Sequence, residues 1–428
     1  MRFLSTRGGS PVTFKTALFD GLAPDGGLYV PETIERWSDA EIDRLPRRTL
    51  TEIALRVLRP FTRGEIDAAV LEAVVVEALD FDVPLVEVEP DVYALELFHG
   101  PTLAFKDVGA RVMARLMAAL HDAEEPLTVL AATSGDTGSA VAHAFYRVPG
   151  TRVVILYPDG RVSPTQEAQL TMFNGERANV RAYAVAGSFD DCHRLTREAF
   201  GDADLRRHMR VTSANSVNIG RLLPQMVYYF HALGERANGS AAVRSTLVCT
   251  PSGNFGNLTA GLFAKRSGLP IEQFVAATNI NDVVPTYLTT GRFTPRPSVH
   301  TLANAMDVGH PSNFERMLWL YRDAVDAMRR DVSGCAFTDE DVRLTIRDVF
   351  ERRGYLLDPH SAIAYRGLNG RPGIFLATAH PAKFAEVVEP IIGRPVEKPA
   401  ALAHALAKPR HVIRITASYD AVRATVTG

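Results

Sequence analysis

Cysteine is nearly absent from this chain. The three present, Cys192, Cys249 and Cys335, form no CxxC pair and no Cys/His metal spacing in 428 residues. That excludes a disulfide framework or a zinc ribbon as the organising device and points to reduced thiols. Lysine is also scarce: Lys15, Lys106, Lys265, Lys383, Lys398 and Lys408 make six, and arginine carries nearly all the remaining positive charge. The net charge of −2 gives no electrostatic reason to expect a nucleic-acid or membrane-surface partner. The apolar runs, such as the one ending at Ile155-Leu156-Tyr157, are of strand length and too short to span a bilayer. MRFLSTRGGSPVTF lacks a charged start followed by an apolar segment, so no signal peptide is expected and the cytoplasm is the expected compartment. Neither GxxxxGK[ST] nor GxGxxG occurs, which argues against a P-loop NTPase and a dinucleotide fold.

The chain is otherwise of globular composition, 46% hydrophobic and 22% charged, and its length suggests two or three domains. Residues 1 to about 80 begin turn-rich, through Gly21 to Gly27, and continue as helical patterns over Thr51–Leu58 and Glu65–Leu79. From residue 127 strands and helices alternate. Strands are predicted at Leu127–Ala132, Val153–Tyr157, Val180–Val185, Val211–Ser213, Thr246–Thr250 and Phe274–Thr278. Helices are predicted through Val141 and Phe145, over Ser163–Phe173 and Asp190–Phe200, through Leu222 and Tyr229, and over Asn257–Lys265. Mostly apolar strands in that rhythm mark an open, parallel α/β sheet, whose ligands sit where strand ends turn into helix N-termini.

Four segments carry chemistry. Ser252 to Asn257 follows a strand and opens a helix, and its two glycines allow several N–H groups to turn inward on a phosphate. An ordinary strand-to-helix turn fits the local pattern equally well. Thr133-Ser134-Gly135-Asp136-Thr137-Gly138 has the same form with hydroxyls added; it suits an anion, and it suits plain helix capping. Lys106 follows Leu103-Ala104-Phe105 and precedes an apolar helix. A desolvated amine there would have the low pKa that Schiff-base chemistry needs, whereas the structural alternative is a snorkelling lysine paired with Asp107. Lastly, Asn215, Ser216 and Arg221 follow a strand end, and either cluster around an anionic oxygen group or form a capping loop.

Taken together in this order, these segments resemble the threonine synthases, in their longer bacterial and fungal form. That family lies among the fold-type II (tryptophan synthase β-like) enzymes that use pyridoxal 5′-phosphate. The likeness runs from Ser5-Thr6-Arg7-Gly8 and Gly21-Leu22-Ala23-Pro24-Asp25-Gly26-Gly27-Leu28-Tyr29-Val30-Pro31 through Thr278 to Asp282, Met306 to Asn313, Asp358 to Ala362 and Thr378 to Phe384. It spans nearly the whole chain. It implies two open, mostly parallel sheets flanked by helices, with the cofactor in the cleft between domains and an N-terminal extension. The domains implied are 1–80 as N-terminal region, 81–126 with 226–428 as the large cofactor-binding domain, and 127–225 as the small one.

The resemblance also assigns residues. Lys106 in HGPTLAFKD matches the lysine that holds pyridoxal phosphate, and Gly253, Asn254, Phe255, Gly256 and Asn257 match the loop whose amides hold its phosphate. Thr378 matches the hydroxyl residue beside the pyridine nitrogen. Where relatives place an Asn against the cofactor O3′, this chain has Asp136, which departs from the pattern. Thr133, Ser134, Asn215, Ser216 and Arg221 match residues that bind the substrate phosphate, and Thr137 one near the reacting carbons or the substrate carboxylate. The implied reaction converts O-phospho-L-homoserine and water into L-threonine and phosphate, with no metal and a monomer expected over a dimer. The rivals are a dehydratase or phosphothreonine lyase of the same fold, and a non-catalytic metabolite-binding homologue. His310, His360 and His380 are acid/base candidates by residue type, but are expected to be structural because Lys106 can move the protons itself.

Overall fold

The computed structural model describes residues 1–121, 126–175, 179–238 and 243–428. The expected alternation is present: strands Leu127–Ala132, Thr151–Pro158, Val180–Ala186 and Arg210–Ser213 are separated by helices Asp136–Phe145, Pro164–Thr171 and Phe189–Gly201. They form a five-stranded sheet in which every pairing is parallel. All six residues of Leu127–Ala132 are buried, as both faces of a helix-covered parallel strand require.

The fifth strand of that sheet, Ile413–Thr416, comes from the far end of the chain and pairs beside Val180–Ala186. It lies within the stretch expected above in the large domain, so the C-terminal segment crosses back to the smaller sheet. Helix Tyr419–Thr427 secures it there, with Val422 and Val426 fully buried against Cys192 and Leu195.

The second sheet has six strands in the order Val332–Ala336, Ile271–Thr278, Thr246–Pro251, Gly373–Ala377, Val92–Glu96 and Leu85–Glu89. The last pairs antiparallel and the others parallel. Helix Gly256–Arg266 packs under it, with Phe263 fully buried and Gly261 pressed against the rings of Phe274 and Tyr229, which are at most 1% exposed. Each such buried ring contributes about 2–3 kcal/mol of hydrophobic stabilisation.

The remaining departures have local causes. The helix expected through Leu222 and Tyr229 is three pieces, Ile219–Leu222, a 3-10 turn Leu223–Gln225 and Met226–Arg236. Pro224 lacks the N–H that a continuous ladder needs there. The helix expected from Glu65 starts at Ala68, because Gly64 holds φ at +83° and Asp67 takes the N-cap position. The turn-rich N-terminus is itself a three-stranded antiparallel sheet, with Phe3–Ser5 between Gly8–Val12 and Tyr29–Pro31.

Candidate active site

The four chemical segments converge on one cavity of about 610 Å³, which Lys106, Thr133, Asn215, Arg221, Gly253 and Thr378 help to line. Each lies at or just beyond the carboxyl end of a strand or at the start of a helix, as expected for an open α/β sheet.

Lys106 is the first residue of helix Lys106–Leu120. Its loop is braced from the other side of the cleft: Phe105 N–H donates to the Thr378 carbonyl at 2.9 Å, and His380 N–H donates to the Leu103 carbonyl at 3.1 Å. Leu103 takes the left-handed φ of +58° to make that approach. Asp107 does not pair with the lysine; its carboxylate accepts from Thr102 N–H at 2.8 Å and from Thr102 Oγ1 at 2.7 Å. Burial lowers the Lys106 amine to about 8; Asp136 opposes that shift, while Arg221 and Lys383 add to it. The result is an amine largely free of competing bonds and partly neutral near physiological pH, the state that condensation with a carbonyl needs.

In the first turn, Thr133 Oγ1 accepts from the Gly135 and Gly138 N–H groups at 2.9 and 2.8 Å. Its own proton remains to be donated into the cavity. Gly135 has φ +137°, and a Cβ there would lie 2.4 Å from the Gln166 carboxamide. Gln166 in turn donates to Asp136 Oδ1 at 3.2 Å. Asp136 is 5% exposed and forms an ion pair with Lys383, whose Nζ is 2.8 Å from Oδ1. Burial pushes the Asp136 carboxyl up, but the Lys383 and Lys106 charges outweigh it and hold it at about 2.

The second turn has Phe255 in the left-handed region at φ +60°, immediately before helix Gly256–Arg266. That sequence of conformations turns successive amides to one side at a helix N-terminus. Gly253 presses on the neighbouring loop, where a Cβ would come within 2.7 Å of Met306 Cα, while a Cβ at Gly256 would meet nothing closer than 3.5 Å. Asn257 is structural in part: its amide donates to the Pro251 carbonyl at 2.8 Å and accepts from Leu258 N–H at 2.9 Å.

Asn215 and Ser216 are more constrained than their sequence suggested. The Asn215 side chain clips the Ala132 backbone, donating to its carbonyl at 2.7 Å and accepting from its N–H at 3.2 Å, which leaves one amide hydrogen. Ser216 Oγ accepts from Asn254 Nδ2 at 2.6 Å, so the two turns are coupled. Arg221 is 4% exposed; Nη1 donates to the Ala214 carbonyl at 2.6 Å, and Nε is buried without a protein partner. Burial lowers its pKa to about 10, opposed by Asp107. A guanidinium with unspent donors at this depth suits a bound oxyanion.

Two of the three histidines are held by structural bonds. His360 Nδ1 lies 2.5 Å from Asp358 Oδ2 and its Nε2 accepts from Ala305 N–H at 3.3 Å. His380 Nδ1 accepts from Ala382 N–H at 3.1 Å, and burial lowers its pKa. His310 stands on the cavity wall near Phe293, with ring centroids 6.0 Å apart.

This donor set fits pyridoxal phosphate: a desolvated amine for its carbonyl, a helix N-terminus for its phosphate and the Thr378 hydroxyl on the same cavity wall. Sequence reasoning passed over two buried cations beside it. Lys383 lies in a lysine-poor chain, the same signal that singled out Lys106. Arg316, fully buried, donates to the carbonyls of Tyr29 at 3.0 Å, Ser216 at 3.2 Å and Val217 at 2.6 Å. No local pattern marks it, because its partners come from two distant segments.

Three family profiles match the chain in succession: Threonine synthase N terminus over residues 2–79, Pyridoxal-phosphate dependent enzyme over 78–377, and Threonine synthase, C-terminal over 361–426. A threonine synthase of Serratia marcescens is 43% identical, covering 97% of this chain and 96% of its own. The crystal structure of threonine synthase from Escherichia coli superposes with a TM-score of 0.93 at 41% identity, covering 100% of this chain and 99% of that one. That of a threonine synthase from Brucella melitensis with bound pyridoxal phosphate has the same TM-score at 38% identity, covering 100% and 98%.

Proposed function

The chain belongs to the threonine synthase family of pyridoxal-phosphate-dependent enzymes, and we propose that its cleft turns O-phospho-L-homoserine and water into L-threonine and phosphate. One observation supports this substrate above all. The cavity wall carries two groups suited to anions, the amide turn at 253–257 and the buried Arg221, which bonds the Ala214 carbonyl next to Asn215. A phosphorylated cofactor and a phosphorylated substrate need one each, whereas a dehydratase acting on free threonine or serine needs only the first.

In this reading Lys106 would hold the cofactor through Nζ, Gly253 to Asn257 would hold its phosphate, and the Thr378 hydroxyl would serve its ring nitrogen. Pyridoxal phosphate, when bound, supplies an electron sink for charge developing on the substrate carbons. Lys106, once released, takes the Cα proton and later returns one; an amine with a pKa of about 8 suits both directions. The Thr133 and Ser134 hydroxyls, with amides at the start of helix Asp136–Phe145, suit an anionic group of the substrate, its phosphate or its carboxylate, and Thr137 would lie near the reacting carbons or the carboxylate. Arg221 and the remaining amide hydrogen of Asn215, with Ser216, stabilise the departing phosphate as preorganised donors. Asp136 contributes a carboxylate where relatives have an amide, so it accepts rather than donates. No helix among the described residues is long and apolar enough to cross a membrane. A monomeric cytoplasmic enzyme completes the reading.

The test is an absorption spectrum of the purified protein before and after O-phospho-L-homoserine, with phosphate and threonine followed together. A cofactor band lost in K106A and equal release of both products support the reading. A cofactor band without phosphate release moves the activity to a related lyase.

A further inference from the structure

Lys383 joins three of the segments that build the cleft. It lies in the turn that follows strand Gly373–Ala377, and its side chain is fully buried behind the cavity wall. Nζ is 2.8 Å from Asp136 Oδ1, on the first glycine-containing turn, and 2.7 Å from the Thr102 carbonyl, in the loop that carries Lys106. Gln166 holds the same Asp136 oxygen from the neighbouring helix at 3.2 Å. Asp136 itself reaches the cavity wall, as Lys106 does.

We infer that Lys383 is a positioning residue of the cofactor site: it keeps Asp136 ionised, so that a fixed negative charge faces Lys106 and the bound cofactor. The inference rests on the reading that Lys106 holds pyridoxal phosphate. A carboxylate 5% exposed takes up a proton unless a partner charge stays beside it. Lys106 cannot be that partner throughout a turnover, because its amine must be neutral to accept a proton from substrate. Lys383 lies behind the cavity wall and faces no reacting atom, so its ion pair with Asp136 is not broken as Lys106 cycles. The Asp136 carboxylate then stabilises the charge that Lys106 acquires. His360, from helix Pro359–Leu368, also acts on Asp136, and Asp358 holds its ring; Asp107, bonded to the same Thr102, and His380 are the other titratable groups that Lys383 faces. Arg221 acts on Lys106 from the substrate side.

The test is a double-mutant cycle read on the cofactor absorption band of the holoenzyme, recorded from mildly acidic to mildly alkaline pH. In K383M the Asp136 carboxyl loses that partner and its pKa rises, so the band acquires a pH-dependent step that the wild type lacks. In D136N, adding K383M changes the pH response no further. The inference is overturned if K383M leaves the wild-type response intact, or if K383M has the same effect in both backgrounds. Should K383M fail to fold, the D136N/K383M protein decides: recovery of a folded holoenzyme supports the charge role, and continued failure shows that Lys383 acts only as scaffold. A K106A protein that keeps the wild-type band is a different failure, seen with Asp136 and Lys383 untouched, and it overturns the Lys106 reading together with this one.

Discussion

Phe105 and Thr378 are joined by a single backbone hydrogen bond of 2.9 Å, which fixes Lys106 relative to the wall bearing the Thr378 hydroxyl. That bond uses the Thr378 carbonyl, so the side chain can be changed without breaking it. T378V replaces the hydroxyl with a methyl of similar volume. The expected outcome is a holoenzyme that keeps its cofactor and its fold but turns over about tenfold more slowly, the cost of one lost hydrogen bond near 1.4 kcal/mol. Comparing kcat with the circular dichroism melt checks it; an unchanged kcat removes the hydroxyl from the mechanism.

Arg221 offers a sharper separation of roles. Its Nη1 is spent on Ala214 and its Nε is buried against Gly109, so contact with a departing phosphate would fall to the remaining N–H groups of the guanidinium. R221A is expected to lower kcat on O-phospho-L-homoserine by about 10²–10³, the usual cost of a lost oxyanion donor, while the cofactor band stays in place. Loss of the band along with the rate would mean that Arg221 shapes the cofactor pocket instead.

Lys106 is costly to the cofactor-free protein. Its folded pKa of about 8 lies below the unfolded value for lysine, so between the two the unfolded chain binds more protons and stability rises with pH. At neutral pH the folded state carries the full penalty, and the penalty fades as pH climbs from about 8 toward the ordinary lysine range. K106M in the cofactor-free form is therefore expected to be more stable than wild type by about 1–3 kcal/mol at pH 7, a gain that shrinks toward pH 10. Urea melts of both apoproteins at the two pH values measure it. A K106M protein no more stable than wild type at neutral pH would show that the amine is not desolvated.

Gly135 is strained for any other residue. Its φ of +137° is closed to L side chains, and a Cβ would lie 2.4 Å from the Gln166 carboxamide that supports Asp136. G135A is expected to cost at least about 2 kcal/mol and to lower cofactor affinity, because Gln166 must move. Thermal unfolding and cofactor titration check the two effects separately.

Much of this was legible in the residues themselves. Leu127–Ala132 and Thr246–Pro251 are buried throughout and mostly apolar because both faces of a parallel strand are covered, so the alternation from residue 127 could be read directly. The turns after them followed from the rule that ligands gather at strand ends. Ile413–Thr416 was not legible: four residues, alternately half-buried and exposed, carry no apolar run to signal a sheet. The N-terminal strand Gly8–Val12 contains two glycines and a proline, which read as turn. The Asp136–Lys383 pair was hidden for another reason, since a charge pair between distant turns leaves no periodicity or spacing in the sequence. Asn215 and Ser216 were found as polar residues at a strand end, but their attachment to Ala132 and Asn254 is a property of the folded chain.

Arg316 links the N-terminal sheet to the loop at Ser216 and Val217 on the cleft. Its guanidinium is fully buried and donates to Tyr29, Ser216 and Val217 carbonyls and, at 2.6 Å, to Asn313 Oδ1. Burial lowers its pKa to about 9, with Glu315 opposing, so the charge is retained at neutral pH but at a cost. Such a group is kept by the carbonyls it satisfies, each of which costs about 1–3 kcal/mol when left buried and unpaired. R316M preserves most of the volume and removes every donor at once. The loop at 216–217 then loses its anchor, while the turn at 253–257 keeps the internal bonds of Asn257. KM for O-phospho-L-homoserine is therefore expected to rise by at least about tenfold, with cofactor affinity changed much less. Parallel titrations with cofactor and substrate distinguish this from general loosening, which would weaken both equally and end the assignment of Arg316 to the substrate side.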